Sequence, residues 1–100
     1  MHAVLAEDRR LVILRALDEA QGTSLNESIV KKLLEHVGHR VGRDQVRQDV
    51  AWLADSGLVR IEKLEDGVSP GELWVAHLRE DGRDVARGRP FPGVARPSLR

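Results

Sequence analysis

One hundred residues are enough for one domain with about three helices and a small sheet. With no cysteine, disulfides, thiolate metal sites and a cysteine nucleophile are excluded, and no apolar run approaches the ~20 residues of a membrane span. Sixteen Lys and Arg balance sixteen Asp and Glu, a net charge of zero that argues against a chain held to nucleic acid by bulk charge alone. The balance is uneven along the chain. Arg87, Arg89, Arg96 and Arg100 close it without an acid, whereas Glu62, Glu65, Asp66 and Glu72 cluster earlier. The opening MHAVLAEDRR lacks a basic stretch followed by an apolar one, so no secretory signal is visible and a cytoplasmic protein is expected.

The first helix is predicted over residues 5–20, with Ile13, Leu17 and Ala20 on one face, Ala6, Leu14 and Ala16 beside it, and Gly22 as its stop. Val4 and Leu11 then project to the opposite side, with Val12 between the faces. Stray surface apolar residues are ordinary; the functional reading of these is a dimer seam on the first helix. The second helix is predicted over 24–37. Ser24-Leu25-Asn26-Glu27 fits a capping box, in which the serine oxygen takes the N3 amide and Glu27 reaches back to the cap amide. Leu25, Ile29, Val30, Leu33, Leu34 and Val37 recur at helical spacing before Gly38.

After the short loop His39-Arg40-Val41-Gly42, a third helix starts near Arg43 and ends at Ser56-Gly57, with Val46, Val50 and Leu53 as its buried stripe. Two amphipathic helices joined so closely form a helix-turn-helix pattern. Residues 58–65 and 73–78 alternate in the manner of strands, with Asp66-Gly67 and Ser69-Pro70-Gly71 as turn formers between them. A short helix is predicted over 81–86. The proline-containing, arginine-containing tail, residues 89–100, is expected to be an extended arm or disordered beyond a domain spanning 1–88.

The string VRQDVAWLADSGLVRIE, followed by a hairpin and LWVAHLREDGRDVARG, resembles winged-helix transcriptional regulators of the ArsR/MarR type. In those a recognition helix ends in a leucine followed by Gly-Leu-Val, and the second wing strand leads into a Leu-Thr-x-x-Gly helix start, here Leu78-Arg79-Glu80-Asp81-Gly82. More narrowly, Asp49-Val50-Ala51-Trp52-Leu53 and the tail segment 92–97 are similar to small winged-helix proteins of Mu-like phages and prophages. The resemblance covers nearly the whole chain and implies an α+β, mostly α, winged helix-turn-helix. It would have three helices, a two-stranded β-wing, a short C-terminal helix and an extended tail. The metal sensing of the first group is not implied, because its sensors need cysteine or clustered His and carboxylate ligands.

If the third helix reads DNA, Arg43, Gln45, Arg47 and Gln48 near its N-terminal half are the candidates for base edges and phosphates, with Arg40 in the preceding turn and Lys63 on the wing as further DNA-binding candidates. With Val46, Val50 and Leu53 inward, Asp44, Gln48, Ala51 and Asp55 face outward; Arg43 and Arg47 lie toward one flank and Gln45 toward the other. The outward aspartates repel phosphate. The wing tip over 65–72 is acidic, with only Lys63 and Arg60 basic nearby, which points either to a non-DNA partner or to DNA binding led by the third helix and the basic tail. Trp52, off the buried stripe, and Trp74, on a wing strand, either fold over neighbours or anchor an interface with Leu11 and Val12.

His36 and His39 are spaced for a metal, but no third ligand stands beside them, and no metal or cofactor is expected. Nor is catalysis: there is no phosphate loop, nucleophile motif or paired carboxylate. The leading expectation is a small phage or prophage transcriptional regulator that binds double-stranded DNA as a homodimer. The alternative is a winged-helix protein-interaction module, used in phage assembly or to control a host protein, without DNA binding.

Overall fold

The computed structural model describes residues 2–65 and 71–97. The turn formers Asp66, Gly67, Ser69 and Pro70, and the tail end 98–100, lie outside the described residues. In chain order the elements are α1 (His2–Glu19), a 3-10 turn (Gln21–Thr23), β1 (Ser24–Asn26), α2 (Glu27–His36), α3 (Arg43–Asp55), β2 (Val59–Glu65), β3 (Glu72–Leu78) and α4 (Glu80–Ala86). The three strands form one antiparallel sheet in the order β1-β3-β2, so the architecture is α+β and mostly helical, with four α-helices among the described residues. No described helix is long and apolar enough to cross a membrane.

The core is built from Leu11, Leu14 and Leu17 of α1, Leu34 of α2, Val50 and Leu53 of α3, with Leu58, Ala76 and Val85 closing it. Leu11 corrects the sequence reading. It does not project outward; it is 6% exposed, because α1 packs on α4 as well as on α2 and α3, which widens its buried arc beyond one stripe. Arg87, just past α4, clasps Asp18 of α1 on that same flank at 3.0 and 3.2 Å.

The start of the second helix is the larger correction. Ser24 caps nothing: Ser24, Leu25 and Asn26 pair with His77, Ala76 and Val75, adding a third strand to the two predicted. The chain turns into β1 through left-handed backbone at Gly22 (φ 74°) and Thr23 (φ 52°). The cap of α2 is Asn26, whose side chain accepts from the Ile29 amide at 3.0 Å. Glu27 is thereby the first helical residue and turns inward.

The third helix and the hairpin follow the prediction closely. At the end of α3 the Leu58 amide donates to the Leu53 carbonyl at 2.9 Å and the Gly57 amide to Ala54 at 3.0 Å. This is a Schellman stop, which needs the left-handed φ of 77° that Gly57 supplies. It drops Leu58 straight onto Leu53, both fully buried, and launches β2.

The tail is irregular, as its prolines require, but through residue 97 it lies on the body rather than extending away. Phe91 meets Trp52 edge-on at 6.2 Å, Val94 is buried, the Arg10 side chain donates to the Gly93 carbonyl at 2.8 Å, and the Ala95 amide donates to Glu7 at 3.1 Å. Arg10 also stacks 3.9 Å over the Trp52 ring. Truncation after Gly88 is therefore expected to cost about 2 kcal/mol, from the lost burial of Phe91 and Val94. A lower urea midpoint and a red shift of tryptophan emission would report it; unchanged emission would show that Trp52 is not covered by the tail.

Candidate nucleic-acid interface

The centre of the site is Glu27, 3% exposed at the start of α2. One carboxylate oxygen accepts from Arg47 Nε at 2.6 Å; the other accepts from Arg47 Nη2 at 2.9 Å and from the Trp74 amide at 2.7 Å. Arg47 in turn donates to the Glu72 carbonyl at 2.9 Å and lies 4.7 Å from the Trp74 ring centroid. A single carboxylate thus ties α2, α3 and β3 together. Burial works to raise the Glu27 pKa. The hydrogen bonds from Arg47 and Trp74 and the charges of Arg47 and Arg43 outweigh it and hold Glu27 below the usual carboxylate range. Arg47 is held correspondingly higher, chiefly by its bonds to Glu27.

This changes what each candidate residue can do. Arg47 is spent on Glu27 and is a positioning group rather than a free cation. Gln45 donates within α3 to the buried Asp49 at 3.1 Å, steadying the carboxylate through which Arg9 of α1, at 2.7 Å, braces α1 against α3. Gln48 and Arg40 are exposed. Arg43 is well exposed and only loosely paired, 3.6 Å from Glu27. Lys63 Nζ also lies 4.7 Å from the Trp74 ring centroid. Of the interface candidates, Leu11 is core, Trp52 is covered by Phe91 and Arg10, and Trp74 is clasped by Arg47 and Lys63. Val12 is partly exposed and has no such cover from a cation or a ring.

Two further residues, the exposed Lys32 and the partly buried Lys31, join these cations. Lys31 and Lys32 lie on the flank of α2 next to the start of α3. One shallow depression of about 420 Å³ is lined by Lys31, Glu35, Arg40 and Val41. A second of about 410 Å³ beside it brings Lys31, Lys32 and Arg43 to the mouth above Glu27. Lys31 is paired with Glu35, which lowers the glutamate's pKa. The Lys-Lys dipeptide was the available signal; its value depended on α2 turning that flank toward Arg43. Gly42 caps α3 with no side-chain bond, so the first amides of the helix face this arc without a side-chain partner.

Two polar features elsewhere are structural. Ser24 Oγ is 2.6 Å from His77 Nδ1, and His77 Nε2 is 2.8 Å from Glu62, so one residue from each strand forms a chain across the sheet. With Nε2 donating to Glu62, Nδ1 accepts from Ser24, and the chain pins the strand register. His39 is bonded to Asp8 of α1 at 2.6 Å.

No family model matches the chain. Over 98 residues it is 44% identical to gp26 of Escherichia phage Mu, a match spanning 97% of this chain and 95% of that protein. Over 86 residues it is 41% identical to a protein of Haemophilus influenzae strain Rd, spanning 86% of this chain and 83% of that one. Both relatives are described only as uncharacterized proteins. At that identity over nearly its whole length, the chain belongs to the family of phage Mu gp26.

Proposed function

We propose that this protein is a winged-helix DNA-binding protein, a phage-encoded transcriptional regulator acting on double-stranded DNA. In this reading α2, the turn at 37–42 and α3 are the helix-turn-helix, and β2 and β3 are the wing. The observation that carries it is the arc of cations beside the start of α3: Lys32, Arg40 and Arg43, all exposed, and Lys31, partly buried and paired with Glu35. Clustered cations of this kind supply phosphate contacts even on a chain of zero net charge. Gln48 is the base-reading candidate, an amide suited to the major-groove edge of adenine. Arg47 acts by holding α3 to Glu27 and β3, not by touching DNA.

The test is fluorescence anisotropy on a mixed-sequence duplex as salt is raised. Four phosphate contacts predict a slope of about −3 to −4 in log K against log salt. Lys32→Ala with Arg43→Ala is expected to flatten it by about 2 and to weaken binding at least tenfold. No binding at low salt, or an unaltered slope in the double variant, would overturn the reading.

A second reading, a winged-helix module for a protein partner, is favoured by the acidic hairpin. Glu62, Glu65 and Glu72 lie on β2 and β3, and Glu65 stands directly opposite Glu72. Like charges so paired cost stability unless a basic partner relieves them.

A further inference from the structure

On the flank of α2 away from the cationic arc, an apolar groove opens against α1. Val12 and Ala16 of α1, Leu33 of α2 and Val37 just past its end line it, with Arg15, Glu19 and His36 at its rim, around a volume of about 250 Å³. Leu33 is 37% and Val37 55% exposed, high for side chains the helical periodicity assigns to a core. The strip runs on in both directions. Ile29, one turn before Leu33, is 38% exposed, and Leu5, two turns before Val12, is 52% exposed. Contiguous apolar surface on two adjacent helices marks an interaction site.

We infer that a second copy of this chain fills the groove, pairing α1 with α1 and α2 with α2 about a two-fold axis. The rim charges choose the occupant. Arg15 and Glu19 are exposed, one helical turn apart and opposite in sign, and among the described residues neither enters an ion pair. A two-fold axis across antiparallel copies of α1 sets Arg15 against Glu19 of the other copy, and Glu19 against its Arg15. Both charges thus find an opposite partner, in two symmetric pairs, on a surface complementary to itself. A partner with a face of one sign would match one of them and repel the other. The pairing leaves Lys31, Lys32 and Arg43 on the outer flank, and the inference stands whether or not DNA is bound.

The dimer seam is therefore neither Leu11 nor the tryptophans, and of the sequence candidates only Val12 belongs to it. The full chain should sediment as a dimer at micromolar concentration. Val37→Glu, at a position already more than half exposed, should give a monomer with an unaltered circular dichroism spectrum. Arg15→Glu alone and Glu19→Arg alone should each weaken association at least tenfold. Combined in one chain, the two changes should restore it, because the swapped charges again face each other across the axis. A wild-type chain that stays monomeric at about 100 µM, far above the micromolar range of even weak specific pairs, would overturn the inference. So would a dimer indifferent to Val37→Glu, or a double charge swap no better than the single changes.

Discussion

Glu27→Ala is expected to destabilise the protein by about 3 kcal/mol, lowering its melting temperature on the order of 15 °C. The change strands the Trp74 amide and the Arg47 guanidinium, which now share one buried carboxylate. Breaking a fully buried pair costs more, but the Arg47 side chain is 29% exposed and water recovers part of the loss. Glu27→Gln keeps the shape and an acceptor for Trp74 while removing the charge, and should cost about half as much. The sign of the pH dependence follows from the depressed Glu27 pKa. Its contribution is complete above the ordinary value of 4.5 and is lost as pH falls through the lower folded value. Urea midpoints of wild type and Glu27→Gln should therefore differ by a constant amount near neutrality and converge in acid. A gap that persists unchanged in acid would mean that Glu27 contributes by shape and not by charge.

Glu27 also shows why the sequence was readable in some places and not in others. The third helix and the hairpin were legible because their signals are local: a stripe of Val46, Val50 and Leu53, then a glycine that can take left-handed backbone, then alternating residues. Ser24 and Glu27 carry an equally local capping signal, and it misleads. Ser24 has a stronger partner in His77, 53 residues on, and Glu27 one in Arg47, 20 residues on. A three-residue strand such as β1 has no periodicity to detect; it exists because β3 offers it an edge. Arg47 was rightly placed on the flank of α3, but its availability to a ligand depended on that unseen carboxylate. The apolar groove was hidden in the opposite way. Ile29, Leu33 and Val37 read as core because they keep helical spacing, yet only the Val30 and Leu34 side of α2 is buried. Prolines announced an irregular tail, but not that Phe91 and Val94 would find Trp52 and the core.

Gly82→Ala is expected to destabilise by about 3 kcal/mol, against the direction that helix propensity alone predicts. Within a helix, replacing glycine by alanine usually gains about 0.5 to 1 kcal/mol. Gly82 is buried in α4, where a methyl would overlap the Leu58 carbonyl oxygen and meet the Leu58 carbonyl carbon at 3.0 Å and Leu78 Cδ1 at 2.9 Å. The Leu78 side chain can rotate aside. The Leu58 carbonyl cannot, since it sits between the stop of α3 and the start of β2 and accepts the Arg79 amide at 3.1 Å. Relief would have to come from α4 lifting, which uncovers Val85 and Ala86 and loosens the hold of Arg87 on Asp18. Gly42→Ala is the matched control: φ there is −85° and a methyl meets nothing within 4 Å, so its cost should stay below about 1 kcal/mol. Chemical denaturation of both variants separates the two effects. A Gly82→Ala chain as stable as wild type or more so would mean that α4 does not ride on the Leu58 carbonyl. The joint between α3 and the hairpin would then be held by side chains alone. A destabilised one makes that glycine the reason α4 can seat directly on the Leu58 carbonyl, where α3 ends and β2 begins.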